Sequence, residues 1–515
     1  MHFSPSFKTS QICALSPDGA LVASTGFPSP TLANVHIRTT RSLQTISTVK
    51  ITQDATQSVV GLAWSPTSSR ILVTTSDQVR VYNVEDASLH AVIRNPGSGG
   101  GKPTYVQFGA TDDEVIVVVA FGLKLSVFNL TSSKAVEVAN PKFYLPLSAA
   151  RSYAFNPRSE HMAVLTRAAG RDALSIHLPQ TREVTRSWHP ETVDAAGFLW
   201  TPDGQWLLVW ESPAHGHRLL LYTTDGQLFR TLDSSRLCVN ADASLHPGIR
   251  LCQTSTDGHR CVVGDHSRTV TVLDTANWRV NMNLNHPLAV TPEDTLQIWQ
   301  EQIAKSPDGH ETHNFVRATQ ALSPESVTWN NRVTADLRVG CSLAGFDASS
   351  DLLATRLDES SCTVWIWDVA SAELRAVLMF HSSVSFSWHP SIRELLLVTC
   401  QDEAFRGVSY VWDPLSAGPR YLSLGEQLPE GKVQGKTQAL WIEWPQEAPV
   451  IFLSDASRYL VALANESLPY PEMWPLNDQG SSLQGFLSRE DTPLLDGHDE
   501  DDHSTLDDTF SFKQG

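Results

Sequence analysis

The sequence predicts an all-β fold, a β-propeller, in which one short strand–turn–strand unit recurs around a ring. Three observations lead to this prediction. Runs of about four to six residues alternate between apolar and polar side chains, which is the pattern of half-buried strands. A Ser-Pro-Asp-Gly turn, or a relative of it, follows the first strand of several units and occurs first at residues 16–19. The units recur with loop insertions at about 40–45 residues, which is the period of a propeller blade.

Nine units follow one another along the chain, and each is recognised by its first strand. These first strands are predicted at residues 13–15, 61–64, 105–108, 153–155, 198–200, 251–254, 343–346, 386–388 and 440–444. Two units contain the dipeptide Trp-Asp, at residues 367–368 and 412–413, and this dipeptide gives WD repeats their name. The sequence therefore predicts a WD-repeat β-propeller.

The number of units favours one ring over two. A division at the long insertion after the sixth unit would leave three units, whereas propellers typically have four to eight blades. We expect one large ring of eight or nine four-stranded blades, closed by a strand near Phe3 to Phe7 that completes the last blade. The predicted organisation is blades 1–6 at residues 1–285, an insertion at 286–340, blades 7–9 at 341–465 and a tail at 466–515.

The insertion is predicted to contain a short amphipathic helix. Residues 291–294 (Thr-Pro-Glu-Asp) have the composition of a helix start, and Leu296, Trp299 and Ile303 follow at helical spacing. A strand is predicted at residues 314–316. The apolar face of this segment either packs on the edge of the propeller or anchors a partner. The candidate partner-binding residues are Trp299, Ile303, Phe315 and Trp329.

The carboxyl-terminal tail is strongly acidic. Between Glu490 and Asp508 it has nine acidic residues and no Lys or Arg. This composition predicts a largely disordered tail. The tail either keeps the protein soluble or binds a partner.

Charge and composition limit the classes of partner. The chain has 515 residues and a formal net charge of -18, which repels nucleic-acid phosphates and anionic lipid heads. We therefore expect partners with basic protein surfaces, and we expect the protein to bind neither nucleic acid nor a membrane. No apolar stretch approaches the ~18 residues that span a bilayer, and no secretory signal precedes the first unit. The seven cysteines are scattered and include no CxxC pair, so we expect no disulfide framework. These features together predict a protein of the cytoplasm or nucleus.

Motifs that imitate catalytic or ligand sites fail on inspection. The glycine-rich run at residues 97–102 lacks the first glycine and the final Ser/Thr of a phosphate loop. The histidine pairs His310/His313 and His215/His217 have no third metal ligand nearby in the sequence. No GxSxG turn is present. We therefore expect no catalytic residues, metal, cofactor or small-molecule substrate.

Three segments resemble a known family. Residues 219–228, residues 270–287 and, most clearly, residues 353–369 are similar to the spindle-pole and centrosomal WD-repeat proteins. That family includes a vertebrate WD-repeat protein encoded antisense to p73 and fungal spindle-pole-body relatives. The resemblance extends over roughly residues 1–463 and leaves out the acidic tail.

The resemblance implies a non-enzymatic scaffold in the cytoskeleton, at the spindle pole body or centrosome. Such a scaffold joins a coiled-coil anchoring protein and a minus-end-directed kinesin, anchors microtubule minus ends, and reaches the γ-tubulin complex indirectly. It assigns no binding residues. The alternative is the large propeller of a translation-initiation-type factor, which binds ribosome or RNA. That alternative requires a basic face and a basic tail, whereas this chain is acidic.

Overall fold

The computed structural model describes residues 1–10, 12–29, 32–52, 59–94, 96, 103–119, 124–143, 152–237, 248–305, 311–324, 339–444, 448–464, 474 and 510–511. These residues form the nine blades of a β-propeller. The prediction of one large WD-repeat ring is therefore confirmed, and the number of blades is nine.

The strands of the first half are as follows. Two short strands come first, β1 His2–Phe3 and β2 Phe7–Lys8. Blade 1 has β3 Cys13–Leu15, β4 Leu21–Ser29, β5 Leu32–Thr39 and β6 Thr45–Thr52; blade 2 has β7 Gly61–Trp64, β8 Arg70–Thr74, β9 Gln78–Asn83 and β10 Leu89–Arg94. Blade 3 has β11 Pro103–Phe108, β12 Glu114–Val119, β13 Lys124–Asn129 and β14 Lys134–Ala139; blade 4 has β15 Tyr153–Phe155, β16 Met162–Ala168, β17 Arg171–His177 and β18 Val184–Trp188.

The second half continues in the same order. Blade 5 has β19 Ala195–Trp200, β20 Trp206–Glu211, β21 Arg218–Thr223 and β22 Leu228–Asp233; blade 6 has β23 Ile249–Thr254, β24 Arg260–Asp265, β25 Thr269–Asp274 and β26 Arg279–Asn285. The insertion has β27 Gln297–Lys305 and β28 Glu311–Arg317; blade 7 has β29 Cys341–Phe346, β30 Leu352–Leu357, β31 Thr363–Asp368 and β32 Glu373–Met379. Blade 8 has β33 Val384–Trp388, β34 Leu396–Cys400, β35 Val408–Trp412 and β36 Arg420–Ser423; blade 9 has β37 Gln438–Ile442, β38 Val450–Ser454 and β39 Arg458–Leu463, and β40 is Phe510–Ser511. Helical turns occur at Pro213–His215, Ser234–Leu237, Asp358–Ser360, Glu403–Phe405 and Gly425–Gln427.

Each blade is a meander whose first strand lies at the centre of the ring. The first strand of one blade contacts the first strand of the next, as β3 does with β7 and β23 with β29. The second strands are buried on both faces by the neighbouring blades, and every residue of β12 is buried. This explains why these strands are nearly continuous apolar runs while the outermost strand β14 is mostly exposed.

The turn between the first and second strands uses the chemistry that the sequence predicts. In blade 1 the Ser16 hydroxyl donates to Asp18 Oδ1 at 2.5 Å, and the same oxygen accepts the Ala20 N–H at 3.0 Å. Gly19 follows with a φ of 69°, a conformation that favours glycine. Blade 5 repeats the turn, with Gly204 at a φ of 70°.

The amino terminus closes the ring. Strands β1 and β2 pair antiparallel with β39, so that residues 2–8 supply the fourth strand of blade 9. The Ser4 N–H donates to the Val461 carbonyl at 2.8 Å, and the Val461 N–H donates to Ser4 Oγ at 2.9 Å. The predicted closure by a strand near Phe3 to Phe7 is confirmed.

A buried hydrogen-bonded chain joins the end of blade 6 to blade 7. His286 Nδ1 lies 2.7 Å from the Arg268 carbonyl, which can only accept, so the proton is on Nδ1 and Nε2 accepts from the Thr355 hydroxyl at 2.8 Å. Thr355 Oγ1 in turn accepts the Trp367 indole N–H at 3.0 Å. Burial lowers the pKa of His286 to about 4, which keeps its imidazole neutral.

The predicted helix in the insertion is wrong. Residues 297–305 form strand β27, which pairs in parallel with β32, and β28 pairs antiparallel with β27. Trp299, Glu301 and Ile303 also alternate with exposed glutamines, so the segment has the period of a strand as well as helical spacing. The outer edge of blade 7 supplies backbone hydrogen bonds for the strand, and this tertiary pairing outweighs a weak local preference. Blade 7 thus has six strands.

Most of the acidic tail lies outside the described residues, and its disorder stays a prediction. Two parts of the tail are described, Trp474 and strand β40. Trp474 is buried in a cluster with Val22, Leu43 and Phe452, where blades 9 and 1 meet. Strand β40 pairs with β10, the outermost strand of blade 2.

Candidate interaction surface

The hairpin β27–β28 extends the rim of the ring and contacts the next blade. Gln297 Nε2 donates to the Pro414 carbonyl of blade 8 at 3.0 Å. Gly418 of blade 8 has a φ of 110°, and a Cβ there would lie about 3 Å from Trp299 and Phe315. This glycine therefore allows the turn of blade 8 to pack closely against the hairpin.

Glu301 is a buried carboxylate at the centre of the contact. Its Oε1 accepts from His313 Nδ1 at 2.6 Å and from the Tyr410 hydroxyl of blade 8. Its Oε2 accepts the backbone N–H of His381 at 2.8 Å. Burial raises the pKa of Glu301, but the hydrogen bonds outweigh burial and hold that pKa below its usual value. One side chain thus joins both hairpin strands to blades 7 and 8.

Aromatic rings surround this carboxylate. The His313 ring stacks on Tyr421 with centroids 4.4 Å apart and an interplanar angle of 6°. Phe315 packs edge-on against Phe380 at 5.6 Å and Tyr410 at 5.3 Å. Burial raises the pKa of Tyr421 to about 12, and it also raises the pKa of Tyr410. Both hydroxyl groups therefore stay protonated at physiological pH and can donate hydrogen bonds.

A groove of about 570 Å³ lies beside the hairpin, between β28, β36 and the amino-terminal strand β1. Its aromatic and apolar lining includes Phe3, Phe315 and Tyr421, and its charged lining includes Arg420 and Glu426. In the described part of the chain, β28 pairs only with β27 and β36 only with β35. Each strand therefore presents an unpaired backbone edge, which is the feature that binds an extended peptide by strand addition.

The structure brings three of the four predicted contact residues to this hairpin. Trp299 is 9% exposed and its indole N–H donates to Gln297 Oε1 at 3.1 Å, so its ring packs within the fold. Ile303 and Phe315 are partly exposed, and Phe315 lines the groove. Trp329 lies outside the described residues. Their role in partner binding stays a prediction.

Sequence reasoning missed Glu301 and the groove residues of blade 8. In the sequence His313 is notable only as one of a pair with His310, whereas the structure places it in strand β28. The sequence does contain one signal for this buried carboxylate. Glu301 lies between Trp299 and Ile303 in a pattern that repeats every two residues, at a position whose side chain faces inward. A carboxylate at such a position requires buried donors, and the sequence does not show which distant residues supply them.

We expect Glu301→Gln to destabilise the fold by about 2 kcal/mol at pH 7, because the charge-assisted hydrogen bonds are weakened. The folded pKa of Glu301 is depressed, so its contribution is present above the unfolded value of 4.5 and is lost as the pH falls through the folded pKa. The gap in thermal midpoint between wild type and E301Q should therefore narrow below pH 4.5. A constant gap between pH 7 and pH 3.5 would contradict this explanation.

The described residues contain neither a metal-binding cluster nor a membrane-spanning helix. No group of three or more His, Cys, Asp and Glu side chains there is placed to hold a metal ion. No helix in the described ranges is long and apolar enough to cross a bilayer. The glycine-rich run at 97–102 and His310 lie outside those ranges.

Curated relatives identify the kind of propeller. The chain is 26% identical over 437 residues to the mouse (Mus musculus) WD repeat-containing protein WRAP73, covering 80% of this chain and 87% of the relative. The chain is a WD-repeat propeller protein that is similar in sequence to WRAP73. A WD repeat-containing protein of Schizosaccharomyces pombe, described as uncharacterized, is 23% identical over 375 residues, covering 71% of this chain and 72% of the relative. No family model matches the sequence.

Two solved structures similar to this WD-repeat propeller have TM-scores below 0.5. A structure titled "Crystal structure of the eukaryotic initiation factor" has a TM-score of 0.48 and 13% identity, covering 81% of this chain and 90% of that chain. The Dos1 propeller has a TM-score of 0.46 and 11% identity, covering 79% of this chain and 92% of that chain. Likeness at this level carries no argument about function, and the initiation-factor alternative gains no support from it.

Proposed function

We propose that the chain is a non-enzymatic WD-repeat scaffold of a spindle-pole or centrosomal complex that anchors microtubule minus ends. In this proposal it joins a coiled-coil anchoring protein to a minus-end-directed kinesin, and it reaches the γ-tubulin complex indirectly. The observation that carries the proposal is the relationship to WRAP73, which extends over 80% of this chain. The resemblance of residues 353–369 to the spindle-pole family supports the same assignment.

We place the contact with the coiled-coil protein at the groove between β28 and β36. The unpaired edges of these strands supply backbone donors and acceptors for an extended segment that flanks the coiled coil. Phe315 and Tyr421 supply apolar surface along the same line. Leu415 precedes the groove-lining turn and is 96% exposed, which adds apolar surface beside the groove. The net charge of -18 suits a partner segment with basic residues.

A pair of matched substitutions tests this placement. Ala417 is exposed in the turn between the third and fourth strands of blade 8, and it lines the groove. Ala370 is exposed in the corresponding turn of blade 7, and it does not line the groove. We expect Ala417→Trp to fill the groove and reduce recovery of the coiled-coil partner at least about tenfold, the loss that 1.4 kcal/mol of binding energy produces. Ala370→Trp should leave recovery unchanged.

The measurement is purification of the tagged protein from dividing cells, followed by quantitative mass spectrometry and imaging of the same tagged protein. We expect a coiled-coil protein and a kinesin in the wild-type sample and signal at the spindle poles. Equal partner recovery with A417W and A370W would exclude the groove as the binding site. Diffuse wild-type signal in mitosis, with no coiled-coil partner, would contradict the scaffold proposal itself.

A further inference from the structure

We propose that the outer edge of blade 2 is a strand-binding surface whose occupant is the carboxyl terminus of the same chain. Strand β40 pairs antiparallel with β10, in the register Val92 with Ser511 and Ile93 with Phe510. Blade 2 thereby becomes a five-stranded sheet. This proposal is independent of the proposed function.

Strand β10 has the properties of an edge strand to which a further strand can be added. On its inner side β10 pairs with β9 along its length, and Ala91 and Ile93 are buried. Without β40, the N–H and C=O groups on its outer side would have no strand partner among the described residues, and such an edge invites strand addition. The ring fills two other positions from its own chain, because β1 and β2 complete blade 9 and β27 extends blade 7. The terminal strand at blade 2 follows the same construction.

A second described point of the tail lies near blade 2. Trp474 is 1% exposed and packs against Val22 and Leu43 of blade 1, the neighbour of blade 2. Residues 475–509 number 35, and a random-coil chain of that number of residues has an end-to-end distance of about 33 Å. A tether of that reach would give the terminal strand an effective concentration in the millimolar range, so that even weak pairing is populated.

Charge favours the same placement. Residues 9–94, which form blades 1 and 2, have six Lys and Arg against five Asp and Glu. Residues 465–515 have twelve Asp and Glu against two Lys and Arg. Six of these acidic residues lie between Asp499 and Asp508, immediately before β40, and β10 ends at the exposed Arg94. The attraction between tail and blade acts over the ~8 Å Debye length at physiological salt.

The consequence is that the edge of blade 2 is closed to other strands until the tail leaves. A partner that adds a strand to β10 has to displace β40 first.

Hydrogen exchange of residues 89–94 in the full-length protein tests the proposal. In an antiparallel pair, neighbouring residues point their N–H groups to opposite sides, so Phe510→Pro with Ser511→Pro removes the donor that faces β10. We expect hydrogen exchange of residues 89–94 to become roughly tenfold faster in this variant. A tenfold ratio is expected when the effective concentration of the tail strand is about ten times its dissociation constant for β10. The control Gln514→Pro with Gly515→Pro has the same two prolines beyond β40 and should exchange like wild type.

A peptide of residues 499–515, added to the F510P/S511P protein, should restore the protection, and its effect should weaken in 0.5 M salt. A scrambled peptide should have no effect. Equal exchange in wild type and in F510P/S511P overturns the proposal. Wild-type protection that rises with protein concentration also overturns it, because the occupant is then the tail of a second copy.

Discussion

Deleting residues 2–8 is expected to destabilise the ring by on the order of 5 kcal/mol, the largest effect among the variants considered. The deletion removes β1 and β2 and exposes β39, whose residues from Tyr459 to Leu463 are all buried. Burial of Phe3 and Phe7 contributes up to about 2 kcal/mol each, and each lost hydrogen bond about 1 kcal/mol. Phe7 also stacks on Tyr459 at 5.5 Å, with the Arg38 guanidinium of blade 1 at 5.1 Å from its ring.

The measurement is urea unfolding followed by tryptophan fluorescence. The double substitution Phe3→Ala with Phe7→Ala should reproduce most of the loss, whereas Lys8→Ala, at an exposed position of the same strand, should change stability by less than about 0.5 kcal/mol. A peptide of residues 1–10 added to the deleted protein should raise the midpoint again. A deleted protein as stable as wild type would show that the ring does not depend on this strand.

Arg182→Ala is expected to cost about 3–5 kcal/mol, because it leaves the Glu114 carboxylate buried without a counter-ion. Arg182 lies in the turn between the third and fourth strands of blade 4, and its guanidinium forms a two-pronged ion pair with Glu114 of blade 3. Both side chains are at most 5% exposed. Arg182 also donates to the Glu160 carbonyl at 2.7 Å and lies over the Phe155 ring.

A double-mutant cycle measured by urea unfolding tests this pair. Glu114→Ala with Arg182→Ala should cost at least about 1 kcal/mol less than the sum of the two single variants, since the second change removes an already unpaired charge. Arg393→Ala is the control, because its ion pair with Asp351 at 2.6 Å is largely exposed and should contribute less than about 1 kcal/mol. Additive single effects would contradict the buried-pair account.

The sequence predicted the ring well because its information is local and repeated. Each blade has alternating strands, and the turns after Ser16 and Thr201 contain the residues that such turns require. The closing strand followed from topology, since a ring whose last blade lacks a strand needs one from the other terminus. The blade number required the structure, because the sequence left eight and nine open.

The insertion and the buried charges could not be predicted in the same way. Residues 296–303 match both helical and strand periods, and the choice depends on the edge of β32, whose paired residues lie 79 positions further along the chain. The Glu301 carboxylate depends on Tyr410, and Glu114 depends on Arg182, 68 residues away. Such partners are set by the stacking of blades, which local patterns do not encode.

The position of the insertion allows its sequence to change without opening the ring. At the start of the insertion His286 hydrogen-bonds to Thr355, and at its end Gly340 donates to Glu359 Oε2 at 2.9 Å where the chain re-enters blade 7. Both ends of the insertion are therefore fixed by the ring itself, and its described hairpin, β27 with β28, lies on the rim. The insertion can therefore differ in length or in binding specificity while the nine blades stay closed into a ring.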